Sequence, residues 1–348
     1  MNNIFLKYLG TYILILLLPI ILGWSIHEIV LRQFESYITT THIALLRQTS
    51  EIIDNYTKEI EWRVLQIAGN SKIKNLVYKE IQQIEDNILL IREIINELGS
   101  YVTYTSNFNT TMYIYLKNMD LVITPNAAYR LGDFFRDEVF FRVKGMDALE
   151  WHEKTINTYY PGMFLDARKM TIEDFGRYEM DSFVPYIQSL PVGYGKPPED
   201  ITGVILFFSS EEEYISLLEN INIPAGGWAY IADEHDRILT GISRESTISP
   251  VDYKESENEG FKKIDINGSK MIVIYTTSAI NNWKYTTVVP ERFLLDKTQI
   301  IKTISLAVMV ISAVIGIILS SVFAYKRSKP IRKIIELLRN TSDPGAEH

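Results

Sequence analysis

The chain has no cysteine among its 348 residues. Disulfide staples and thiolate-bound metals are therefore excluded. Histidine is scarce and scattered, at 27, 42, 152, 235 and 348, and no His-Glu-x-x-His occurs. There is no Gly-x-Ser-x-Gly elbow and no phosphate-cradling glycine loop of the Walker or dinucleotide type. Helix-turn-helix patterns and basic stripes are also missing, so no nucleic-acid contact by this chain is expected. No catalytic residue, metal site or cofactor is expected, and the chain is not read as an enzyme.

Charge is missing locally as well. Tyr8 to Ile26 is a run of 19 residues with no ionisable Lys, Arg, Asp, Glu or His, and Thr303 to Tyr325 is a run of 23. A helix of about 20 apolar residues crosses a ~30 Å hydrocarbon layer, so both runs read as transmembrane helices. Lys326, Arg327, Lys329, Arg332 and Lys333 follow the second run, while residues 27–302 carry 28 Lys and Arg against 40 Asp and Glu. Basic residues at membrane ends mark the cytoplasmic side. The expected topology has residues 1–7 and 326–348 cytoplasmic and the acidic 27–302 outside a bacterial cell membrane. The rival reading of the first run is a cleaved signal peptide, with Lys7 as its basic region and Gly23-Trp24-Ser25 as a poor cleavage site. The basic tail also suits anionic membrane lipid as a partner.

Periodicity divides the outer region. Thr49, Ile52, Tyr56, Ile60, Val64 and Ile67 recur at steps of three and four, predicting one long helix from Glu28 to Ala68, about 60 Å in length. Gly69-Asn70-Ser71 should break it, with Gly69 in a left-handed cap. Val77, Ile81, Ile84, Ile88, Ile91, Ile95 and Leu98 follow a seven-residue repeat, predicting a second helix over 72–98 that Gly99 ends. That repeat serves either intrachain packing or the seam of a homodimer. From Thr110 the period changes to two. Hairpin strands are expected at 112–116 and 121–124, further strands at 182–190 and 201–209, a helical patch at 134–143, an irregular aromatic stretch at 151–164 and a short helix at 211–220. After Pro224-Ala225-Gly226-Gly227 a smaller strand-rich unit follows, with hairpins at 228–231/237–240 and around Asn267-Gly268, closed by 283–289. The fold class is α/β in the α+β sense. Long N-terminal helices (28–98) precede two antiparallel-sheet modules, 100–221 and 222–290, flanked by the transmembrane helices 8–26 and 303–325.

Several strings carry a family resemblance. Val184-Pro185-Tyr186-Ile187-Gln188-Ser189-Leu190-Pro191 and Asn282-Trp283-Lys284-Tyr285 through Val289-Pro290 resemble strands of the double Cache sensor region of bacterial two-span membrane receptors. Lys329-Pro330-Ile331-Arg332 resembles the start of a HAMP-like linker. Leu17-Leu18-Pro19 and Leu45-Leu46-Arg47-Gln48 look most like receptors with an AraC-type DNA-binding domain, with receptor histidine kinases a close second. The resemblance implies two PAS-like (Cache) modules, an extracellular ligand in the membrane-distal one, a dimer, and an output domain beyond residue 348, the chain being a fragment or a truncated product. The third reading is a structural surface protein without a ligand.

Candidate ligand residues are Tyr113, Tyr115, Trp151, Tyr159, Tyr160 and Tyr186, expected to converge on one sheet face, with Asp166, Arg168 and Gln188 adding directional hydrogen bonds. Tyr and Trp pair a stacking face with a polar handle, which suits a sugar or another small polar molecule. Some double Cache receptors bind amino acids through a Tyr, Arg, Trp-Tyr and Asp pattern. Trp151 matches it, but His152 replaces the second aromatic and no Arg lies two residues upstream, which argues against an amino-acid ligand. Asp233-Glu234-His235-Asp236 looks metal-like, but its place between two apolar strands reads as a solvated turn.

Overall fold

The computed structural model describes residues 2–78, 87–102, 110–135, 141–172, 181–193, 200–244, 247–252 and 258–293, with parts of 303–326; within the first 35 residues it describes few side chains. Ile81, Ile84 and the Lys329–Arg332 string lie outside the described residues. The chain forms two compact units, residues 41–290 and the terminal segments 1–40 with 291–348. In the latter, residues 306–319 are helical and expose Leu306, Val308, Val310, Ile311, Val314 and Ile315. Among the described residues no helix is long and apolar enough to cross a membrane.

Helix α1 (Asn2–Gly69) is continuous. In the compact unit its buried stripe is Leu46, Ile53, Tyr56, Ile60, Val64 and Ile67. Ile53, not Ile52, occupies this face: Ile53 is fully buried and Ile52 is 39% exposed. At about 100° per residue, Ile53 falls within ~20° of Ile60 and Ile52 about 80° away from it. Gly69 is not left-handed. The corner is made by Asn70, whose Oδ1 accepts the Lys72 N–H at 2.8 Å and opens α2 (Ser71–Tyr78). Asn70 Nδ2 also donates to Glu97 at 2.7 Å, and Lys72 pairs with Glu93 and Glu97. Both acids lie on α3 (Ile88–Val102), which runs past Gly99 instead of ending there. Its core side is Ile91, Ile94 and Leu98, whereas Ile88 is exposed and Ile95 half-buried. The expected seven-residue repeat therefore describes the buried face in part: Val77, Ile91 and Leu98 are buried, Ile88 and Ile95 are not.

The larger module contains β1 (Thr110–Leu116), β2 (Leu121–Ile123), β3 (Ala128–Arg130), α4 (Leu131–Phe135), β4 (Phe141–Val143), α5 (Ala148–Ile156), β5 (Met163–Phe164), β6 (Arg168–Ile172), β7 (Asp181–Leu190), β8 (Gly203–Ser210) and α6 (Glu211–Glu219). The smaller contains β9 (Trp228–Ala232), β10 (Ile238–Ser243), β11 (Glu259–Ile266), β12 (Ser269–Thr277) and β13 (Lys284–Pro290). Every strand pairing is antiparallel, so the α+β class holds. The first sheet is ordered β3-β2-β1-β8-β7-β6-β4, with β5 beside β7; the second is β10-β9-β13-β12-β11. The path β2-β1-β8-β7-β6 repeats the path of the whole second sheet. In each module the opening strand is central and pairs with the closing one.

Two stretches differ from expectation. Residues 134–143 are not one helical patch: α4 ends at Phe135, and Phe141–Val143 is a strand paired with β6. Residues 151–164 are not irregular at their start, because α5 carries Trp151 and His152. Asp147 caps that helix, its Oδ1 accepting the N–H groups of Leu149 and Glu150 at 2.9 and 3.0 Å. The Asn267-Gly268 turn is as expected, both residues having positive φ (52° and 81°), the hairpin geometry of a two-residue loop.

The long helix is fastened to the smaller module by a buried polar cluster. Asp54 accepts from Ser278 Oγ at 2.7 Å and lies 3.4 Å from both Ser50 Oγ and Tyr285 Oη. Burial raises its carboxyl pKa, and these hydroxyls offset part of the shift. The two modules also touch: Phe164 packs on Tyr186 (4.8 Å) and on Trp283 (5.0 Å), and the Ala167 N–H donates to the Leu239 carbonyl at 2.8 Å.

Candidate functional site

Strand alternation sorts the predicted residues onto two faces. Tyr113 lies opposite Leu206 and Tyr115 opposite Val204; on β7, Ile187 lies opposite Leu206. Tyr113, Tyr115 and Ile187 therefore share one face. Tyr186 and Gln188, one step off along β7, point to the other. The expected convergence on a single face is thus corrected. Tyr186 stands at the junction between modules, against Phe164. The Gln188 amide is used internally, donating to Ser189 O at 3.0 Å and Tyr160 O at 3.4 Å. Gly162, at φ +109°, lets the chain pass both: a Cβ there would lie 2.4 Å from Tyr186 Oη and 2.8 Å from Gln188 Oε1. Asp166 is exposed and pairs at 3.3 Å with the half-buried Arg168, which lies opposite Phe183 and two residues from Met170, at the edge of the aromatic face.

The first face does gather an aromatic cluster. Tyr113 is fully buried, with ring contacts to Phe134 (5.6 Å), Phe141 (5.8 Å) and Phe208 (5.5 Å). Trp151 packs on Phe141 at 5.4 Å, and Tyr159 and Tyr160 pack on the same cluster from its edge. His152 stands on α5 within it, edge-on to Tyr115 at 4.6 Å and 5.0 Å from Phe135. It is wholly buried, and neither ring nitrogen has a partner. Burial lowers its pKa to about 4, so the imidazole is neutral at physiological pH. Tyr113 Oη and Tyr159 Oη are likewise buried without partners. Burial holds the Tyr113 phenol well above its usual pKa. Burial first, then the Asp120 carboxylate, raises that of Tyr115 to about 12. His152, Tyr113 and Tyr115 therefore stay neutral. Leaving a buried polar group unpaired costs about 1–3 kcal/mol, so three such residues on one face mark a place that a polar guest would relieve. His152 was legible only as a departure from the amino-acid pattern; nothing in its spacing announced a buried, unpaired imidazole.

Among the described residues no group of three or more His, Cys, Asp or Glu is placed to hold an ion, those of the Asp233–Asp236 turn included. Nor is that turn simply solvated. Asp233 is buried and accepts the N–H groups of His235 and Arg237 at 2.9 Å and Arg237 Nε at 2.8 Å. Burial alone would raise its pKa, but the Arg237 guanidinium and these N–H groups together outweigh it and leave the value low.

No family model matches the chain, and no curated protein matches it. Solved structures with similar folds do exist. The ligand-binding domain of the Campylobacter jejuni chemoreceptor Tlp3, crystallised with L-norvaline, is 14% identical, covers 75% of this chain and 93% of its own, and has a TM-score of 0.44. The extracellular domain of a candidate histidine kinase, soHK1S-Z6, is 12% identical over 76% of this chain and 98% of its own, with a TM-score of 0.47. The ligand-binding domain of Mlp24 with asparagine is 13% identical over 75% and 99%, with a TM-score of 0.34. These neighbours are sensory and extracellular domains of chemoreceptors and histidine kinases.

Proposed function

We propose that this chain is the sensor region of a two-span bacterial membrane receptor, and that its larger module binds a small uncharged polar molecule. One observation carries the reading: Tyr113 Oη, both His152 nitrogens and Tyr159 Oη are buried without partners in one aromatic cluster. A sugar or other polyol offers hydroxyls that donate and accept, and aromatic rings suit its apolar faces. Among the described residues no ionised side chain is buried in the cluster, so a carboxylate or ammonium would enter without a counter-charge, at high desolvation cost. Binding moves the equilibrium between two domain arrangements through differential affinity. The change passes through the segment after β13 to a cytoplasmic output, which the opening strings suggest is of AraC type. Trp62 and Leu65, exposed on α1, support a homodimer along that helix.

The test is a thermal-shift screen of the full chain in lipid nanodiscs. Neutral sugars and polyols should raise Tm, since a ligand at 100 times its Kd stabilises by roughly 2.7 kcal/mol. Tyr113→Phe should leave the unliganded protein as stable or more so, because it removes an unpaired hydroxyl, and should abolish the shift. A shift given only by charged compounds, or one unchanged in the variant, overturns the reading.

The proposed topology puts the 27–302 region outside the cell, with 8–26 and 303–325 crossing the membrane. The large apolar side chains exposed around 306–319 support lipid as their surroundings. The absence of cysteine permits a clean check. A single Ser269→Cys, exposed at the start of β12, should react with a membrane-impermeant maleimide on intact cells. Labelling only after lysis would place the region inside.

A further inference from the structure

The shared strand order gives the smaller module an equivalent face. Tyr230 pairs with Thr286 across β9 and β13 as Tyr113 pairs with Leu206 across β1 and β8. In the larger module α4, β4 and α5 cover that face; in the smaller, no helix or strand stands between β10 and β11 among the described residues. A strap at 248–252 crosses β9 instead. Two bonds from β9 aromatics pin it: Trp228 Nε1 donates to Ser249 O at 3.1 Å, and Tyr230 Oη accepts the Val251 N–H at 3.2 Å. Beside it lies a cavity of about 430 Å³, within the size range of metabolite sites. Its walls include Tyr230, Asp236, Pro250, Val251, Asp252 and Lys284.

Charge decides what fits. Lys284 Nζ donates to Asp236 at 2.8 Å, so these two neutralise each other. Asp252 forms no ion pair among the described residues, and these leave the cavity wall with one negative charge in excess. An anion would have to displace Asp236 from Lys284. A cation meets Asp252 directly, with Tyr230 in the same wall.

We infer that this cavity is a second binding site, for a small organic cation bearing an ammonium group, with Asp252 as its charge partner. The site is separate from the uncharged aromatic cluster of the larger module and does not depend on it. Isothermal titration of the full chain in nanodiscs with n-butylammonium, and with butyrate as the same hydrocarbon of opposite charge, tests it. Saturable binding of butylammonium but not butyrate is expected. Asp252→Asn should weaken it about tenfold, the scale of one charge-assisted hydrogen bond, while Asp252→Glu restores most of it. Tyr113→Phe should leave it unchanged. Asp252 is exposed, so neither substitution there threatens the fold. Butyrate binding better than butylammonium, no saturable binding of either, or equal affinity in Asp252→Asn overturns the assignment.

Discussion

Moving the protein from pH 7 to pH 5 should remove about 2 kcal/mol of stability through His152 alone. In the unfolded chain this imidazole titrates near 6.5; in the folded one, burial among Tyr113, Tyr115 and Phe135 lowers the value to about 4. Between those pH values the unfolded state binds the extra proton. The stabilisation is therefore complete above 6.5 and is lost as pH falls towards 4. Other groups modify the slope. His42, also buried, acts in the same direction, whereas the carboxyls of Asp54 and Glu61, raised by burial, oppose it as they protonate. His152→Leu, close in volume and without titrating nitrogens, isolates the term. Urea unfolding at both pH values should show the variant losing about 2 kcal/mol less than the parent. An equal loss in both would mean that the imidazole acquires a partner in solution.

Gly203→Ala should be among the most damaging single methyl additions, costing about 3 kcal/mol or more. Gly203 opens β8 opposite Leu116, and a Cβ there would lie 2.3 Å from the Tyr115 carbonyl oxygen. The obstacle is backbone in the central strand pair, which cannot rotate aside as a side chain can. Gly268→Ala is the matching control. It has nothing within 4 Å and suffers only the left-handed conformation of its turn, at roughly 1–2 kcal/mol. Denaturation midpoints should rank the parent highest, Gly268→Ala next and Gly203→Ala far below. If the two variants fall together, the β1–β8 pair has room to open.

Much of the framework was legible because hydrophobic periodicity reports local geometry directly. The long helix, the β1–β2 hairpin and the Asn267-Gly268 turn all follow from spacing and turn chemistry. Errors arose where adjacent apolar residues left the phase ambiguous, as with Ile52 and Ile53, or where tertiary contact overrode a local signal. Gly99 lies inside α3, whose start at Ile88 and core side of Ile91, Ile94 and Leu98 keep the helix going. The site was half legible. Aromatic residues on β1 and α5 do meet, but Tyr186 and Gln188 lie on the far face because neighbouring strands had no register in the sequence. Pairing partners 93 positions apart, such as Tyr113 and Leu206, leave no periodic trace. Nor does the repeated strand order, since the modules share topology without visible sequence repetition.

That strand order also dictates a timetable for assembly. A central opening strand must wait for its closing partner, so β1 remains half-bonded until β8 is available, while β9 waits only 56 positions, from Tyr230 to Thr286. Closing the longer loop costs more chain entropy, and non-local pairing is slow. The smaller sheet should therefore mature faster once its chain is complete. The bare edge of β1, rich in Tyr and Ile, is the stretch most exposed to pairing with a neighbouring molecule during biogenesis.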